Sequence, residues 1–205
     1  MLIPPFSGVG LKAYNKANED ITSQVFAASG FMKVDADYTA RPYAEWSAGD
    51  WPKTYQNPSY RNLFAIGIAF APPHLISKPM QSANGTPINP APPRTGMPSA
   101  AMAIAVAKSI CDMINGAEAP THTASMAKMG AACVASTGAH LLRGSAATMT
   151  VYPIVPDYET YPEYGRDLEL TFGEIGLAGH WLKTLLHHTF IYQARLKPGW
   201  RFLPD

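Results

Sequence analysis

The chain of 205 residues is 47% hydrophobic, only 15% of its residues are charged, and its formal net charge is +1. So little charge indicates a neutral surface that contacts another chain, a cofactor or a membrane, and the near-zero net charge excludes a basic field that would attract nucleic acid. Two cysteines do not build a disulfide framework and favour an intracellular setting. No uncharged apolar run reaches the length of about 18 residues that predicts a membrane span.

The N-terminal part of the chain predicts little regular structure before one apolar run. Residues 30–35 alternate and favour a short strand, whereas residues 38–62 are rich in Pro, Tyr, Trp and Asn and predict a long surface loop. Residues 62–70 are apolar and of strand length, which favours a buried strand of the parallel type. Gly67 would allow a close backbone approach at the end of that strand.

The proline-rich segment 71–98 predicts a loop with no helix and little sheet. A loop of this length is either disordered or packed and functional. Its apolar residues suit burial better than contact with water, which favours the packed loop. Those residues are Leu75, Ile76, Met80 and Ile88.

The clearest helix begins at Pro98 or Ser99 and ends before Gly116. Its interior consists of small and apolar residues, so we expect it to be buried against a sheet. Cys111 lies on this helix and is therefore expected to be a buried structural residue.

The C-terminal part predicts two strands and a long helix. Residues 131–136 and 147–155 favour strands, and residues 174–197 favour an amphipathic helix. Residues 195–202 mix cations with aromatic rings, as membrane-interface segments do. Two interpretations stay open for the helix, namely packing on the domain's own sheet and contact with a membrane. Its polar arc consists of His180, Lys183, Thr184 and His187, which have no carboxylate or cysteine at the spacing of a metal site.

Cys133 lies among small residues in the segment Met129-Gly-Ala-Ala-Cys-Val-Ala-Ser-Thr-Gly138. A thiol in such surroundings, near the end of a strand, can lie against a flat cofactor and take part in redox chemistry. The alternative is that Cys133 is a small buried apolar residue.

Several short segments resemble the sulfide:quinone oxidoreductases of the pyridine nucleotide–disulfide oxidoreductase superfamily. They are Gly67-Ile-Ala-Phe-Ala-Pro-Pro73, Thr86-Pro, Pro92-Pro-Arg-Thr-Gly96 and the Cys133 segment, in that order. The resemblance implies an α/β fold. It further implies the C-terminal part of a flavoprotein with two dinucleotide-binding (FAD/NAD(P)-binding) domains, ending in a β-sheet and amphipathic helices.

The resemblance implies that Gly67, Ile68 and Ala69 contact FAD through the backbone at a strand end. It assigns further FAD contacts to a loop before the helix, formed by Arg94, Thr95 and Gly96, where the helix N-terminus favours anionic character. Ile68 stands where most of the superfamily has an aspartate, so one charge-assisted hydrogen bond to the flavin is lost. The alternatives are a buried strand with a tolerated glycine and an ordinary capping sequence.

The resemblance also assigns roles near the C-terminus. Cys133 corresponds to a redox cysteine that handles the sulfide sulfur beside the flavin, through persulfide-type intermediates. The last helices of the family dip into the membrane and frame a quinone pocket, so this chain is expected to be an intracellular peripheral membrane protein. Candidates for the quinone and membrane contacts are Phe172, Ile175, Gly176, Trp181 and Phe190.

Two parts of such an enzyme are expected outside this sequence. The family begins with a Gly-x-Gly-x-x-Gly turn for the FAD pyrophosphate and carries a second redox cysteine in its first half. The pattern at residues 8–13 is formally similar, but no full strand precedes it. The predicted organisation is therefore the end of a second dinucleotide-binding-like domain and a linker at 1–60, an FAD-contacting segment at 61–120, and a sheet with membrane-associated helices at 121–205.

The expected function is that of the C-terminal half of a flavoprotein. It would oxidise sulfide or a similar sulfur donor and pass electrons through FAD to a membrane quinone, with an N-terminal FAD-binding half in the same or a separate chain. The alternative is a non-catalytic subunit or interaction module that needs an N-terminal partner chain to bind FAD. Either could form a homo-oligomer.

Overall fold

Turns and extended segments make up most of the chain before the first long helix. A computed structural model describes residues 10–88, 90–137, 140 and 142–203. The pattern at residues 8–13 and the end of the Cys133 segment at Gly138 therefore lie partly outside the described residues. The helices are α1 (Thr22–Val25), α2 (Gly96–Ile114) and α3 (Leu177–Ala194), and the strands are β1 (Met80–Gln81), β2 (Pro87–Ile88), β3 (Ala131–Thr137), β4 (Ser145–Val151) and β5 (Gly173–Gly176). Single turns of 3₁₀ helix lie at Tyr43–Glu45, Ala48–Asp50, Gly67–Ala69, Met126–Lys128 and Trp200–Phe202.

The main sheet is antiparallel and has the strand order β3-β4-β5. Cys133 pairs with Met149, and Ala147 pairs with Ile175. Strand β3 is close to its predicted range, whereas β4 ends at Val151 rather than at 155. A fold with mixed helices and antiparallel sheets is compatible with the α/β class.

The predicted parallel strand at 62–70 is wrong. Its residues form isolated bridges, Gln56 with Phe64 and Met32 with Phe70, separated by the 3₁₀ turn Gly67–Ala69. The backbone cannot stay extended there because Gly67 has φ of +58°. The predicted strand at 30–35 is likewise reduced to the bridges of Met32.

The loop 38–62 is not confined to the surface. Trp51 and Tyr55 are buried in the core, so the prediction of a surface loop is wrong at its centre. The carboxylate of Asp35 fixes this part of the loop, because it accepts hydrogen bonds from the three backbone N–H groups of residues 53–55 at 2.6 to 3.0 Å. A polar side chain thus replaces sheet pairing for these donors.

The proline-rich loop is only partly packed. Ile76 is buried as predicted, whereas Met80 and Ile88 are exposed and pair with each other in the short β1–β2 hairpin. Their exposure contradicts the expected burial, because a two-residue strand on each side carries both side chains away from the core.

Helix α2 confirms the predicted helix within two or three residues at each end. Its inner face contributes Met102 and Val106 to the core, which also contains residues far from α2 in the sequence, such as Trp51 and Ile154. Its outer face is exposed and includes Cys111, so the predicted burial of that cysteine is wrong. Among the described helices, α2 alone has the length and composition to cross a membrane, although its inner face lies in the core.

The C-terminal helix is shorter than predicted because residues 174–176 belong to β5. Helix α3 lies on the sheet through Gly179, whose Cα faces Thr148 and Val134, and through Lys183, whose Nζ donates to the Val134 carbonyl at 3.2 Å. Six of its large apolar residues are exposed to solvent, and we call them together the exposed face of α3. They are Trp181, Leu182, Leu185, Leu186, Phe190 and Ile191.

Candidate functional site

The turn at Gly67–Ala69 packs directly against the start of α2. The Gly67 N–H donates to Met102 Sδ at 3.3 Å. A Cβ atom at Gly67 would lie 2.6 Å from Ser99 Oγ, and the φ of +58° is one that residues with a Cβ rarely adopt. Glycine is therefore required twice at this position, by the backbone angle and by the contact with α2. The close approach predicted at Gly67 is present, and its neighbour is α2.

Arg94 links the loop before α2 to this turn through hydrogen bonds. Its Nη1 donates to the Phe70 carbonyl at 2.5 Å and lies 3.5 Å from the Ile68 carbonyl. The guanidinium carbon lies 5.1 Å from the centre of the Phe70 ring and 5.4 Å from that of Phe31. Burial lowers the pKa of Arg94 from its ordinary value. Its Nε is buried and has no hydrogen-bond partner among the described residues.

These contacts bring the two predicted FAD-binding segments, 67–69 and 94–96, to one place. Ser99 Oγ donates to the Arg94 carbonyl at 3.1 Å, which fixes the loop against the first turn of α2. Thr95 is the N-cap residue, but its side chain makes no capping hydrogen bond, and both Thr95 and Gly96 are exposed. The first amides of a helix have no partner within the helix and carry its positive dipole end. This end of α2 can therefore receive an anionic group.

Cys133 lies in the middle of β3 and is exposed. Residues two apart on a strand share a face, so Cys133 lies on the same face as Ala131. Ala131 belongs to the core cluster that includes Met102 and Val106 of α2. Cys133 is thus on the side of the sheet that α2 partly covers, and α2 is the common neighbour of β3 and the Gly67 turn.

The same face of the sheet continues across β4 and β5, where none of the described segments covers it. Met149 is opposite Cys133, and Ile175 is opposite Ala147, two residues along. Met149 is 64% exposed and Ile175 is 79% exposed. We call Cys133, Met149 and Ile175 the open sheet face. Sequence reasoning missed Met149, although the alternation of exposed 147 and 149 with buried Ala146 and Thr148 is the signal that places it beside the cysteine.

The predicted quinone and membrane residues do not form one cluster. Ile175 lies on the open sheet face, whereas Trp181 and Phe190 lie on α3, which covers the opposite face. Phe172 precedes β5 and is exposed, and its carbonyl accepts from the Thr150 N–H at 2.9 Å. Gly176 is the residue at which β5 passes into α3.

A search of curated proteins finds a match to the sulfide-quinone reductase of Aquifex aeolicus (strain VF5), with 29% identity over 143 residues. The matched region covers 70% of this chain and 27% of that protein. No family model and no solved structure matches the chain. The chain is a distant relative of sulfide-quinone reductase and spans a minor part of its length.

The residues at the start of α2 fit FAD in most respects. A Cβ at Gly96 would meet no atom within 4 Å, so there is room for a cofactor against the backbone. The uncapped helix N-terminus suits an anionic edge or a phosphate, and the unpartnered Arg94 Nε–H is one further donor. Ile68 is the exception, because its side chain is 64% exposed and carries no hydrogen-bonding group.

Proposed function

We propose that this chain is part of an FAD-dependent oxidoreductase that oxidises sulfide, or a similar small sulfur donor, and passes the electrons to a quinone. One observation carries the proposal: the two predicted FAD-binding segments meet at the uncapped N-terminus of α2 in a distant relative of sulfide-quinone reductase. Because the chain spans 27% of that relative, the remaining FAD contacts would come from an N-terminal half.

In this proposal residues 67–69 and 94–96 hold the flavin end of FAD. The amides of Thr95 and Gly96 would face its anionic edge, and the helix dipole would favour the negative charge that the reduced ring carries. Arg94 already binds the carbonyls of Ile68 and Phe70, so it would position the turn and offer FAD only its remaining N–H groups. Bound FAD supplies a two-electron acceptor.

Cys133 is the proposed thiol for the sulfur donor. It is exposed on the open sheet face, where Met149 and Ile175 form apolar surroundings. A second cysteine, from the N-terminal half, would form a disulfide with Cys133 in the oxidised enzyme. Sulfide would attack this disulfide, which breaks the S–S bond, leaves a persulfide on one cysteine and releases the other as a thiolate, and bound FAD would accept the two electrons.

The exposed face of α3 is the proposed membrane and quinone element. A water-soluble helix normally turns such residues toward its own core, whereas α3 contacts the sheet through Gly179 and Lys183 and leaves six large apolar side chains exposed. An apolar helix flanked by Lys197, Trp200 and Arg201 suits the boundary of a bilayer. The protein would then be bound at the membrane periphery.

The second candidate is a non-catalytic subunit that needs a partner chain. The observation that favours it is the outer side of α2, where Ile104, Ile110 and Ile114 are exposed in addition to the apolar face of α3. Contiguous apolar surface of this kind marks interfaces between chains. Such a subunit would bind its partner without contributing Cys133 to a reaction.

The visible absorption spectrum separates these candidates. The chain would be purified alone and together with the N-terminal half, and sulfide would be added to each sample. We expect flavin absorbance in the complex and its bleaching by sulfide. A complex that never binds flavin would refute the flavoenzyme, and a complex that binds flavin without bleaching would leave the subunit role.

The two cysteines provide matched variants for the second step. Both are exposed, and each changes by one atom in the serine variant. We expect Cys133→Ser to abolish sulfide oxidation by the complex and Cys111→Ser, on the outer side of α2, to leave it near normal. Equal activities of the two variants would contradict the role of Cys133.

A further inference from the structure

A separate cleft lies between α2, the segment 122–130 and the end of α3. Its volume is about 700 Å³, which is in the range of pockets that hold small organic ligands. Helix α2 contributes a stripe of residues from Met97 to Lys108, and α3 contributes Phe190. None of the proposed FAD contacts lines this cleft.

The polar side of the cleft is basic. Lys53, Lys108, Lys128 and His122 line it, and no carboxylate does. Among the described residues neither Lys53 nor Lys108 has an ion-pair partner. The chain as a whole has a net charge of +1, so this concentration of positive charge is local. We call the whole pocket, including these four residues, the basic cleft.

The acids beside the cleft are already engaged, and the Asp35 carboxylate accepts from the backbone N–H groups of residues 53–55. Asp112 accepts from Thr121 Oγ1 at 2.5 Å, and its other neighbour is His122 Nε2 at 3.1 Å. The hydrogen bond from the Thr121 hydroxyl is the main cause that lowers the pKa of Asp112 from its ordinary value; burial opposes it, and the charge and hydrogen bond of His122 add to the lowering. Asp157 is close enough to feel the charge of Lys128. Two ammonium groups, those of Lys53 and Lys108, therefore remain for an external anion.

Hydrogen bonds fix the walls of the cleft by joining the segment 122–130 to α2 and to the loop that carries Lys53. The His122 N–H donates to Ser109 Oγ at 3.0 Å, and Ser109 Oγ donates back to the His122 carbonyl at 3.3 Å. The Ala124 N–H donates to the Lys53 carbonyl at 2.8 Å. The segment that carries His122 is thus tied both to α2 and to the loop that carries Lys53, so the basic groups keep their spacing.

The other side of the cleft is apolar. Met97, Ile104 and Phe190 line it, and small residues such as Ala101 and Gly130 leave the space between them. The side chains of Met97 and Ile104 are exposed to solvent in the free chain. An aliphatic group placed there would remove them from water, which is worth roughly 25 cal/mol per Å² of buried apolar surface.

We propose that the basic cleft binds an amphiphilic anion, with a phosphate or carboxylate head at Lys53 and Lys108 and an aliphatic body against Met97, Ile104 and Phe190. Phe190 also belongs to the exposed face of α3, so the apolar wall is continuous with that face. A bound aliphatic chain would extend from the cleft along α3. The site needs neither FAD nor Cys133.

Isothermal titration of the purified chain tests this with matched short-chain ligands below their micelle-forming concentrations. Dihexanoyl phosphatidate carries the anionic head, dihexanoyl phosphatidylcholine has the same chains with a zwitterionic head, and inorganic phosphate is the head alone. We expect saturable binding of one phosphatidate, and about 25-fold weaker binding of the choline lipid if two partly exposed ion pairs each contribute about fivefold. Octanoate distinguishes a fatty acid from a lipid headgroup, because the tighter ligand identifies the natural head.

Charge variants locate the site. The double variant K53Q/K108Q should weaken phosphatidate binding about 25-fold, whereas K12Q/K16Q, with the same loss of charge outside the cleft, should leave it unchanged. Ile104→Asn should weaken phosphatidate binding and leave the weak binding of phosphate as it is. Thermal unfolding of each variant confirms that it is folded, and K53R/K108R, which keeps the charge, should bind as wild type does.

Equal affinity for the two lipids, or equal losses in K53Q/K108Q and K12Q/K16Q, would overturn the proposal. Phosphate that binds as tightly as phosphatidate would show that the apolar wall takes no part, which also overturns it. These outcomes are independent of the flavin spectrum, so failure here leaves the proposed oxidoreductase untouched.

Discussion

The close contact between α3 and the sheet requires a glycine at position 179. A Cβ at Gly179 would overlap Thr148 Oγ1, closer than the 3.0 Å that Cβ atoms keep from other atoms, and would lie 3.5 Å from Val134 Cγ1. Gly179→Ala therefore forces α3 outward or Thr148 into the sheet. Such overpacking costs about 1–3 kcal/mol, whereas alanine in a helix interior is about 1 kcal/mol better than glycine. The expected net loss of unfolding free energy is about 1 kcal/mol.

Gly179→Ala should stop destabilising the chain when the Thr148 hydroxyl is removed. Thr148 is buried, and its hydroxyl has no partner among the described residues, so Thr148→Ala removes an unsatisfied group at the cost of one methyl. In the Thr148→Ala background, Gly179→Ala should be neutral or stabilising by up to about 1 kcal/mol. Urea unfolding of the four proteins measures this cycle.

Gly96→Ala is the matched control for this cycle. Gly96 is also helical, and a Cβ there would meet no atom within 4 Å, so the substitution should not destabilise the chain. If Gly179→Ala loses the same free energy with and without Thr148, the overlap is not the cause and the close packing of α3 on β4 is refuted.

Three further predictions concern the first half of the chain. Gly67→Ala should lower the melting temperature more than Gly96→Ala does, because Gly67 has φ of +58° and a Cβ 2.6 Å from Ser99 Oγ; equal effects would contradict this. Arg94→Gln should destabilise the chain by about 1.5–3 kcal/mol in urea, because the carbonyl of Phe70 loses a charged donor; Arg94→Lys should recover part of the loss. Burial is the main cause that lowers the pKa of His74. Protonation is then costlier in the folded chain, so stability is full above the unfolded pKa near 6.5 and falls as pH drops below it; His74→Gln should reduce this slope between pH 7.5 and 5.5.

The elements that the sequence predicted well are those with a long, consistent pattern. Helix α2 carries a capping proline, an apolar interior and a terminal Gly116 at φ of +108°, so local chemistry alone determines both ends. Strand β3 is an uninterrupted run of small and β-branched residues. Periodicity and turn residues are sufficient for elements of this kind.

The errors lie where distant residues decide the backbone. The run at 62–70 is apolar and of strand length, but the bend at Gly67 is held by Arg94 and Ser99, which come about thirty residues later and carry no local signal. Strand β5 has four residues and exists through its pairing with β4, so a helix beginning at Glu174 was the natural interpretation.

Dependence on distant residues also explains why the predicted burial of Cys111 is wrong. The composition of α2 is apolar on all sides, which predicts complete burial, yet the described residues form one core cluster, which α2 faces with one side. The apolar composition therefore predicts the helix α2 but not which of its sides packs against the core.

For the candidate site the sequence proposed two segments without their arrangement in space. It placed 67–69 and 94–96 in one function by resemblance, and the Arg94 hydrogen bonds supply the physical link between them. It treated Arg94 as a charge directed at a ligand, whereas the structure uses that charge to hold two carbonyls of the turn. Loss of Arg94 should then disturb the turn before any ligand binds, so a fall in the melting temperature of the flavin-free chain distinguishes this positioning role from direct contact with FAD.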